Sequence, residues 1–208
     1  MIKILSDKIE FPDISEASAE GILAVGGDLS AQRLLLAYQK GIFPWFSEDE
    51  PIIWWSPDPR FVLFPDKLKV SKSMRQILRK QEFKLTINKD FKAVIHNCAK
   101  IRRKGQTDTW ITKDMVLAYN RLHQLGYATS VEVWLNDELV GGLYGIDLGN
   151  GVFCGESMFS KVSNASKFAF ISFVQQSNYK IIDCQVHTEH LERLGAENID
   201  REVFLNYL

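Results

Sequence analysis

The distribution of proline constrains the fold of this chain more than any other feature. All six prolines lie within the first 65 of its 208 residues. Proline removes a backbone donor and restricts the residue before it, so segments 41–46 and 54–60 cannot form long regular elements. Beyond these segments, apolar residues recur at helix and strand spacing. We therefore predict a small, turn-rich α/β domain over residues 1–60 and a larger domain over residues 61–208.

The composition argues against several kinds of protein and site. The net charge is −1, so any contact with nucleic acid must come from a local basic patch. No segment has the length and apolarity of a membrane span, and no signal peptide is evident at the N-terminus. The three cysteines contain no C-x-x-C pair, which argues against a disulfide framework or a zinc site. We expect a cytoplasmic protein with no metal and no membrane partner.

Local patterns predict the elements of both domains. One helix begins after Ser30 and ends at Gly41. Further helices are predicted to begin near residues 71, 90, 112, 164, 189 and 200. Tyr38 and Tyr119 face inward on two of these helices. Strands are predicted over residues 61–64, 84–87, 130–135, 138–146, 152–159 and 180–186. With a hairpin turn at Asn136-Asp137, this order predicts an α+β fold with a mixed sheet.

Two of the predicted strands carry polar residues where a core strand would carry Val or Leu. Asp183 and Gln185 are two residues apart, so regular alternation places both on one face of segment 180–186. Glu156 lies within the apolar segment 152–159, where a carboxylate is costly unless it is hydrogen-bonded. Such groups on rigid strands can orient a reacting amine or carbonyl. The alternative is that they face water from edge strands.

Two other groups of residues give less specific evidence of function. Lys72, Arg75 and Arg79 share one face of a predicted helix, with Lys80 beside them, which fits either a phosphate-binding surface or a solvated face. Segment 102–107 partly resembles the acetyltransferase loop that binds the pyrophosphate of coenzyme A. It lacks the small final residue and precedes the strands where that loop belongs, so acyl-CoA fits poorly and no cofactor is expected.

The histidines, serines and cysteines give little evidence for a metal site or a covalent mechanism. His187 and His190 are three residues apart on a predicted helix and could share a metal, but no third ligand is evident. We therefore interpret them as surface histidines. No serine or cysteine lies in a recognisable nucleophile setting, so a covalent mechanism is not indicated.

Several segments, in this order, resemble the leucyl/phenylalanyl-tRNA–protein transferase family. They read GILAVGGDLS at 21–30, GIFPWF at 41–46, WWSPDPR at 54–60, TWIT at 109–112, ELVGGLYG at 138–145 and LNYL at 205–208, together with the two polar strands. The resemblance implies an aminoacyltransferase that moves Leu, Phe or Met from aminoacyl-tRNA to the α-amino group of proteins beginning with Arg or Lys. By the same resemblance, this transfer is expected to mark those proteins for N-degron degradation. The implied fold is a small N-terminal domain on a GNAT-like (acyl-CoA N-acyltransferase-like) domain.

The resemblance also implies roles for individual residues. Asp183 and Gln185 are the implied catalytic pair, and Glu156 helps to arrange the reacting groups. The implied pocket for the transferred side chain is formed by Leu143, Phe153, Gly155, Met158, Phe170 and Ile182. Trp45 and Trp110 match tryptophans near the substrate site. The implied surface for the tRNA acceptor stem is formed by Lys72, Arg75, Arg79 and Lys80.

The implied chemistry is consistent with these residue types. An aminoacyl ester is already activated, so neither a cofactor nor a covalent intermediate is needed. We predict that Gln185 accepts a hydrogen bond from the attacking amine and that Asp183 draws its proton onward. The expected partners are aminoacyl-tRNA and an acceptor protein, with the enzyme a monomer. Two rivals stay open: another GNAT-fold N-acyltransferase using acyl-CoA or a cell-wall precursor, and a tRNA-binding module without catalysis.

Overall fold

The computed structural model describes residues 2–101 and 110–208. Its strands are β1 Lys3–Leu5, β2 Ile22–Gly26, β3 Phe43–Pro44, β4 Ile53–Trp55, β5 Arg60–Leu63, β6 Lys84–Ile87, β7 Ala128–Leu135, β8 Glu138–Asp147, β9 Val152–Ser160, β10 Ile181–Gln185 and β11 Glu197–Ile199. Its α-helices are α1 Ala31–Gln39, α2 Lys72–Lys80, α3 Phe91–Lys100, α4 Lys113–Gln124, α5 Ala165–Gln176, α6 Glu189–Glu192 and α7 Arg201–Leu205. The loop-like segment 102–107 considered above lies outside the described residues.

The strands form two sheets. The smaller sheet has the order β1-β2-β4-β3, and the larger has the order β11-β5-β10-β9-β8-β7-β6. In the larger sheet β9 and β10 run parallel, while the other neighbours are antiparallel. The prediction of an α+β fold with a mixed sheet is therefore confirmed.

Local capping signals account for four of the predicted helix starts. At these starts the side chain of the N-cap residue accepts a hydrogen bond from a backbone N–H three residues later, which satisfies a donor that the helix leaves unpaired. These caps are Ser30, Ser71, Asp90 and Thr112. Between β7 and β8, Asn136 and Asp137 both have positive φ, as a tight two-residue hairpin turn requires.

The shortest strands were not predicted. β1, β4 and β11 have three residues each and the proline-containing β3 has two, and the five-residue β2 was not predicted either. The shortest of these segments have no detectable periodicity, and they become strands only by pairing with a neighbour. β11, for example, pairs with β5.

One hydrophobic cluster joins the small sheet to the large one. It includes Tyr38 and Trp54 from the first part of the chain, and Tyr119, Tyr144 and Phe204 from the second. α1 packs against α4 in this cluster, so side chains from the N-terminal region reach the large sheet. Within residues 2–101 and 110–208, no helix is long and apolar enough to cross a membrane.

Candidate active site

A cavity of about 450 Å³ lies where β9 and β10 separate. β10 pairs with β9 only from Ile181 to Asp183, whereas β9 continues to Ser160. Parallel pairing therefore stops beside Cys154, and the side chains that follow on both strands line the opening. The predicted residues around this cavity are Trp45, Trp110, Leu143, Phe153, Gly155, Glu156, Met158, Phe170, Ile182, Asp183 and Gln185.

The conformation of β10 brings Asp183 and Gln185 together. β10 lies between β5 and β9 and Asp183 is 0% exposed, so the alternative of an edge strand facing water is wrong. Regular alternation also ends here, because the register with β5 shifts between Asp183 and Gln185 and Gln185 has φ of 65°. The Oδ1 atom of Asp183 accepts a hydrogen bond of 2.9 Å from the backbone N–H of Gln185. Asp183 thus stabilises the backbone turn that aims the Gln185 side chain.

Asp183 forms a buried ion pair with Arg60, which was not among the predicted site residues. The guanidinium Nε lies 2.8 Å from Oδ1, and Nη2 lies 2.7 Å from Oδ2. The guanidinium also lies over the rings of Phe43 and Phe204 and donates to the carbonyl of Gly41. Burial alone lowers the pKa of Arg60, but the Asp183 carboxylate outweighs burial and raises it. Both oxygens of Asp183 are therefore occupied by charged or backbone donors.

Glu156 is the second buried carboxylate of the site. It lies on the interior strand β9 and is 8% exposed, so an edge position is wrong here too. Its Oε1 accepts from the amide Nε2 of Gln185 at 2.7 Å, and its Oε2 accepts from the Tyr119 hydroxyl at 2.9 Å. Burial raises the pKa of Glu156 to about 7, although hydrogen bonds from Tyr38, Tyr119 and Gln185 favour the ionised form. Glu156 can therefore exchange a proton near neutral pH.

The orientation of the Gln185 amide follows from this contact. Nε2 donates one of its two hydrogens to Glu156, and this contact fixes which end of the amide carries the oxygen, the acceptor that a ligand in the cavity can use. An amide oxygen accepts hydrogen bonds from ammonium, amine and hydroxyl groups. The site thus presents one acceptor held by one titratable carboxylate.

One wall of the cavity is apolar. Leu143, Phe153, Phe170 and Ile182 are buried, and Met158 is half-buried. Trp45 lies at the rim, where its ring packs against Trp55 at 5.5 Å between centroids. The lining residues that were not predicted are Phe43, Pro44, Tyr144, Ser157, Cys184, Val186, His187, Thr188, His190 and Leu191.

The two C-terminal histidines differ in environment. His187 is exposed and its Nε2 lies 3.2 Å from Glu192. His190 is half-buried and lines the cavity, and burial lowers its pKa. The interpretation of both as surface histidines is therefore wrong for His190. No group of three or more His, Cys, Asp or Glu residues suited to a metal occurs in the part of the chain that the structure describes.

The basic residues of α2 lie outside the cavity. Lys72, Arg75, Arg79 and Lys80 are all exposed, while Met74 on the same helix is buried. α2 packs against α5, which contributes Phe170 to the cavity wall. The basic face is therefore connected to the cavity through a single intervening helix.

A second cavity of about 580 Å³ is lined by acidic side chains that include Asp28, Glu48, Glu50 and Asp114. It contains none of the predicted site residues. The chemistry described above is confined to the cavity between β9 and β10.

Comparison with known families identifies the chain. The family model described as leucyl/phenylalanyl-tRNA protein transferase matches residues 62–208, and the model of that family's N-terminal domain matches residues 27–58. This chain belongs to the leucyl/phenylalanyl-tRNA–protein transferase family. The resemblance predicted from the sequence is thus confirmed, and the chain is an aminoacyltransferase.

Relatives within the leucyl/phenylalanyl-tRNA–protein transferase family match nearly end to end. The transferase of Flavobacterium johnsoniae is 62% identical over 201 residues, which is 95% of this chain and 94% of that protein. The transferase of Flavobacterium psychrophilum is 56% identical over 207 residues, which is 98% of each protein. Among solved structures, a GCN5-related N-acetyltransferase from Kribbella flavida matches with a TM-score of 0.41 and 11% identity, covering 77% of this chain and 58% of that chain.

Proposed function

We propose that this chain transfers leucine, phenylalanine or methionine from aminoacyl-tRNA to the α-amino group of proteins whose first residue is Arg or Lys. The transfer would mark those proteins for N-degron degradation in the cytoplasm. The observation that carries the proposal is an apolar cavity in which Gln185 and Glu156 offer an acceptor and a titratable carboxylate side by side. Membership of the transferase family supports tRNA and protein as the substrates. We also propose a monomer with domains at 1–60 and 61–208.

The apolar wall suits the transferred side chain. Burying a Leu or Phe side chain yields about 1.5–3 kcal/mol, and the part of the wall formed by Phe153, Met158 and Phe170 has no charged group to pair with a charged side chain. In our proposal the side chain enters this wall and the ester carbonyl lies toward Gln185. Trp45 and Trp110 then border the nucleoside end of the donor.

The proposed reaction begins with an ammonium group, because an α-amino group of pKa about 8 is only about one-tenth neutral at pH 7. Ionised Glu156 takes one proton, and the Gln185 amide oxygen accepts a hydrogen bond from the resulting amine. The nitrogen then attacks the ester carbonyl carbon and the C–N bond forms. The C–O bond to the ribose breaks, and the ribose oxygen keeps the electron pair and takes up the second proton that the nitrogen loses. Glu156 releases the first proton to solvent before the next turnover.

In this proposal Asp183 has a different part from the one predicted from the sequence. Its two oxygens bind the charged guanidinium of Arg60 and the backbone N–H of Gln185, so Asp183 acts as a positioning residue. Glu156 replaces it as the proton acceptor, since its pKa of about 7 is close to that of the amine. The Asp183–Arg60 pair would hold Gln185 in the left-handed conformation that the site requires.

The basic face of α2 is the proposed contact for the tRNA acceptor stem. Lys72, Arg75 and Arg79 are exposed and project from one face, so they can neutralise successive phosphates. α2 packs on α5, so an acceptor stem on α2 lies beside the helix that carries Phe170.

Transfer of radiolabelled leucine tests the proposal. Purified protein is incubated with labelled leucyl-tRNA and with peptides that begin with Arg, Lys or Ala but are otherwise identical. We expect label on the Arg and Lys peptides only, and its loss in Gln185→Ala. Transfer from acyl-CoA instead would favour the N-acyltransferase alternative. Tight tRNA binding without transfer from leucyl- or phenylalanyl-tRNA would favour the binding module and contradict the proposal.

A further inference from the structure

Two buried tyrosines form a hydrogen-bonded chain that begins at the oxygen of Glu156 that Gln185 leaves free. Tyr119 on α4 donates to Oε2 at 2.9 Å, and the hydroxyls of Tyr119 and Tyr38 on α1 are hydrogen-bonded to each other. Tyr38 also contributes a hydrogen bond to Glu156. The three side chains come from three separate elements, and each is buried. The site is therefore continued into the interior by a chain of hydroxyl groups.

Neither tyrosine lines the cavity, so neither contacts a ligand bound there. Burial, with the Glu156 carboxylate next in effect, raises the pKa of both phenols well above 10. They therefore remain protonated and can act only as hydrogen-bond donors and acceptors. Any effect on the reaction must pass through Glu156.

We infer that Tyr119 and Tyr38 are positioning residues that stabilise the carboxylate form of Glu156 through their hydroxyl groups and so set the lower pH limit of aminoacyl transfer. The inference about the pH limit rests on the proposed function, whereas the inference about ionisation of Glu156 does not. Because Tyr38 lies on α1, the inference also means that the N-terminal region influences the ionisation of Glu156.

Some of the groups around Glu156 raise its pKa and others lower it. Desolvation and the like charge of Asp183 on β10 favour the neutral acid, whereas hydrogen bonds from the two tyrosines and Gln185 favour the carboxylate. The other charged or titratable neighbours are Arg60 on β5 and Cys154 on β9, and the raised pKa of the buried Cys154 keeps its thiol neutral. Removing one hydrogen bond to a buried carboxylate should raise its pKa by about one unit or more.

Phenylalanine substitutions isolate the hydroxyl groups, since they keep the packing of the rings. Tyr119→Phe and Tyr38→Phe are compared with Tyr179→Phe, a matched control whose hydroxyl donates to the carboxylate of Asp147 at 2.7 Å outside the cavity. Two quantities are measured for each variant. The first is the ¹³C titration of the Glu156 carboxyl, assigned by its absence in Glu156→Gln. The second is kcat/KM of transfer from leucyl-tRNA between pH 6 and 9.

Tyr119→Phe should move the ¹³C midpoint and the acidic limb of the rate profile upward together by about one pH unit, with activity recovering at the alkaline end. Tyr38→Phe should move both in the same direction, and the control should move neither. An unchanged ¹³C midpoint, or a loss of rate that is independent of pH, would overturn the inference. If wild-type protein transfers no leucine, the proposed function fails, while the ¹³C titration still decides whether the tyrosines stabilise the carboxylate form of Glu156.

Discussion

Arg60 and Asp183 are 123 residues apart in the chain, yet they form a bidentate ion pair with N–O distances of 2.8 and 2.7 Å. The pair links the first residue of β5 to the point on β10 where the strand turns toward the cavity. Because Asp183 also binds the backbone of Gln185, the position of the amide in the cavity depends on Arg60.

Arg60→Ala should be strongly destabilising. It leaves the Asp183 carboxylate, which is 0% exposed, without its counter-ion, and breaking one partner of a buried pair costs about 3–5 kcal/mol. Urea denaturation measures the free energy of unfolding. Lys67→Ala, which removes the exposed pair with Glu197, is the control and should change it little. Equal stability of Arg60→Ala and the control would contradict the structural role of the pair.

Gln185→Ala should reduce kcat for transfer by about 10²-fold or more, because it removes the acceptor that positions the amine. KM for leucyl-tRNA should change much less, since the apolar wall is intact. Steady-state transfer to a peptide that begins with Arg separates the two constants. Gln124→Ala, on the exposed face of α4, should match the wild type. A wild-type kcat in Gln185→Ala would remove Gln185 from the mechanism.

Changes of volume in the cavity wall should alter the choice of amino acid. A Cβ added at Gly155 meets only the Asp183 carbonyl, at 3.5 Å, so Gly155→Ala fits and makes the cavity smaller. We expect it to favour leucine over phenylalanine. Met158→Ala enlarges the cavity and should favour phenylalanine, each by roughly tenfold in the ratio of kcat/KM values. Competition between leucyl- and phenylalanyl-tRNA in one reaction measures this ratio, and shifts in the same direction for both variants would contradict the pocket assignment.

Charge reversal on α2 should weaken tRNA binding in a salt-dependent way. Arg75→Glu and Arg79→Glu should each raise Kd for leucyl-tRNA, and each should reduce the slope of log K against log salt by about one. Filter binding over a range of salt concentrations gives both values. Lys92→Glu changes an exposed lysine on α3 and should have little effect. If all three variants lose affinity equally, binding depends on overall charge and not on α2.

Glu156 should make stability depend on pH. Its pKa is about 7 in the folded protein and 4.5 is its ordinary value. A raised pKa means that the folded state binds more protons, so this stabilising contribution is complete below pH 4.5 and is lost as pH rises through 7. Between pH 4.5 and 8 the wild type should lose up to about 3 kcal/mol relative to Glu156→Gln. Urea denaturation of both proteins across this range measures the loss, and parallel curves would contradict it.

Much of the fold was predictable because its signals are local. The capping side chains of Ser30, Ser71 and Thr112 bind backbone groups three residues away, and the Asn136-Asp137 turn needs only two adjacent residues. β1 and β11 were missed for the opposite reason, since a three-residue strand is stabilised by its partner and not by its own pattern.

The residues of the candidate site also differ in whether the sequence pattern reveals them. Asp183, Gln185 and Glu156 stand out in the sequence because a polar residue within an apolar strand is costly without a partner. Arg60 begins an apolar strand and could have been noticed on the same ground. Tyr38 and Tyr119 carried no such signal, because an inward tyrosine on an amphipathic helix is an ordinary core residue.

The sequence by itself determined the order of the longer elements and, through the order of its motifs, the family and part of the cavity lining. Only the tertiary structure decided which carboxylate pairs with a cation and which accepts hydrogen bonds from neutral groups. Asp183 meets Arg60, and Glu156 meets neutral hydroxyl and amide groups. The reason is that Coulomb and hydrogen-bond energies depend on distance in space, and the residues concerned are separated by 29 to 123 positions in the chain.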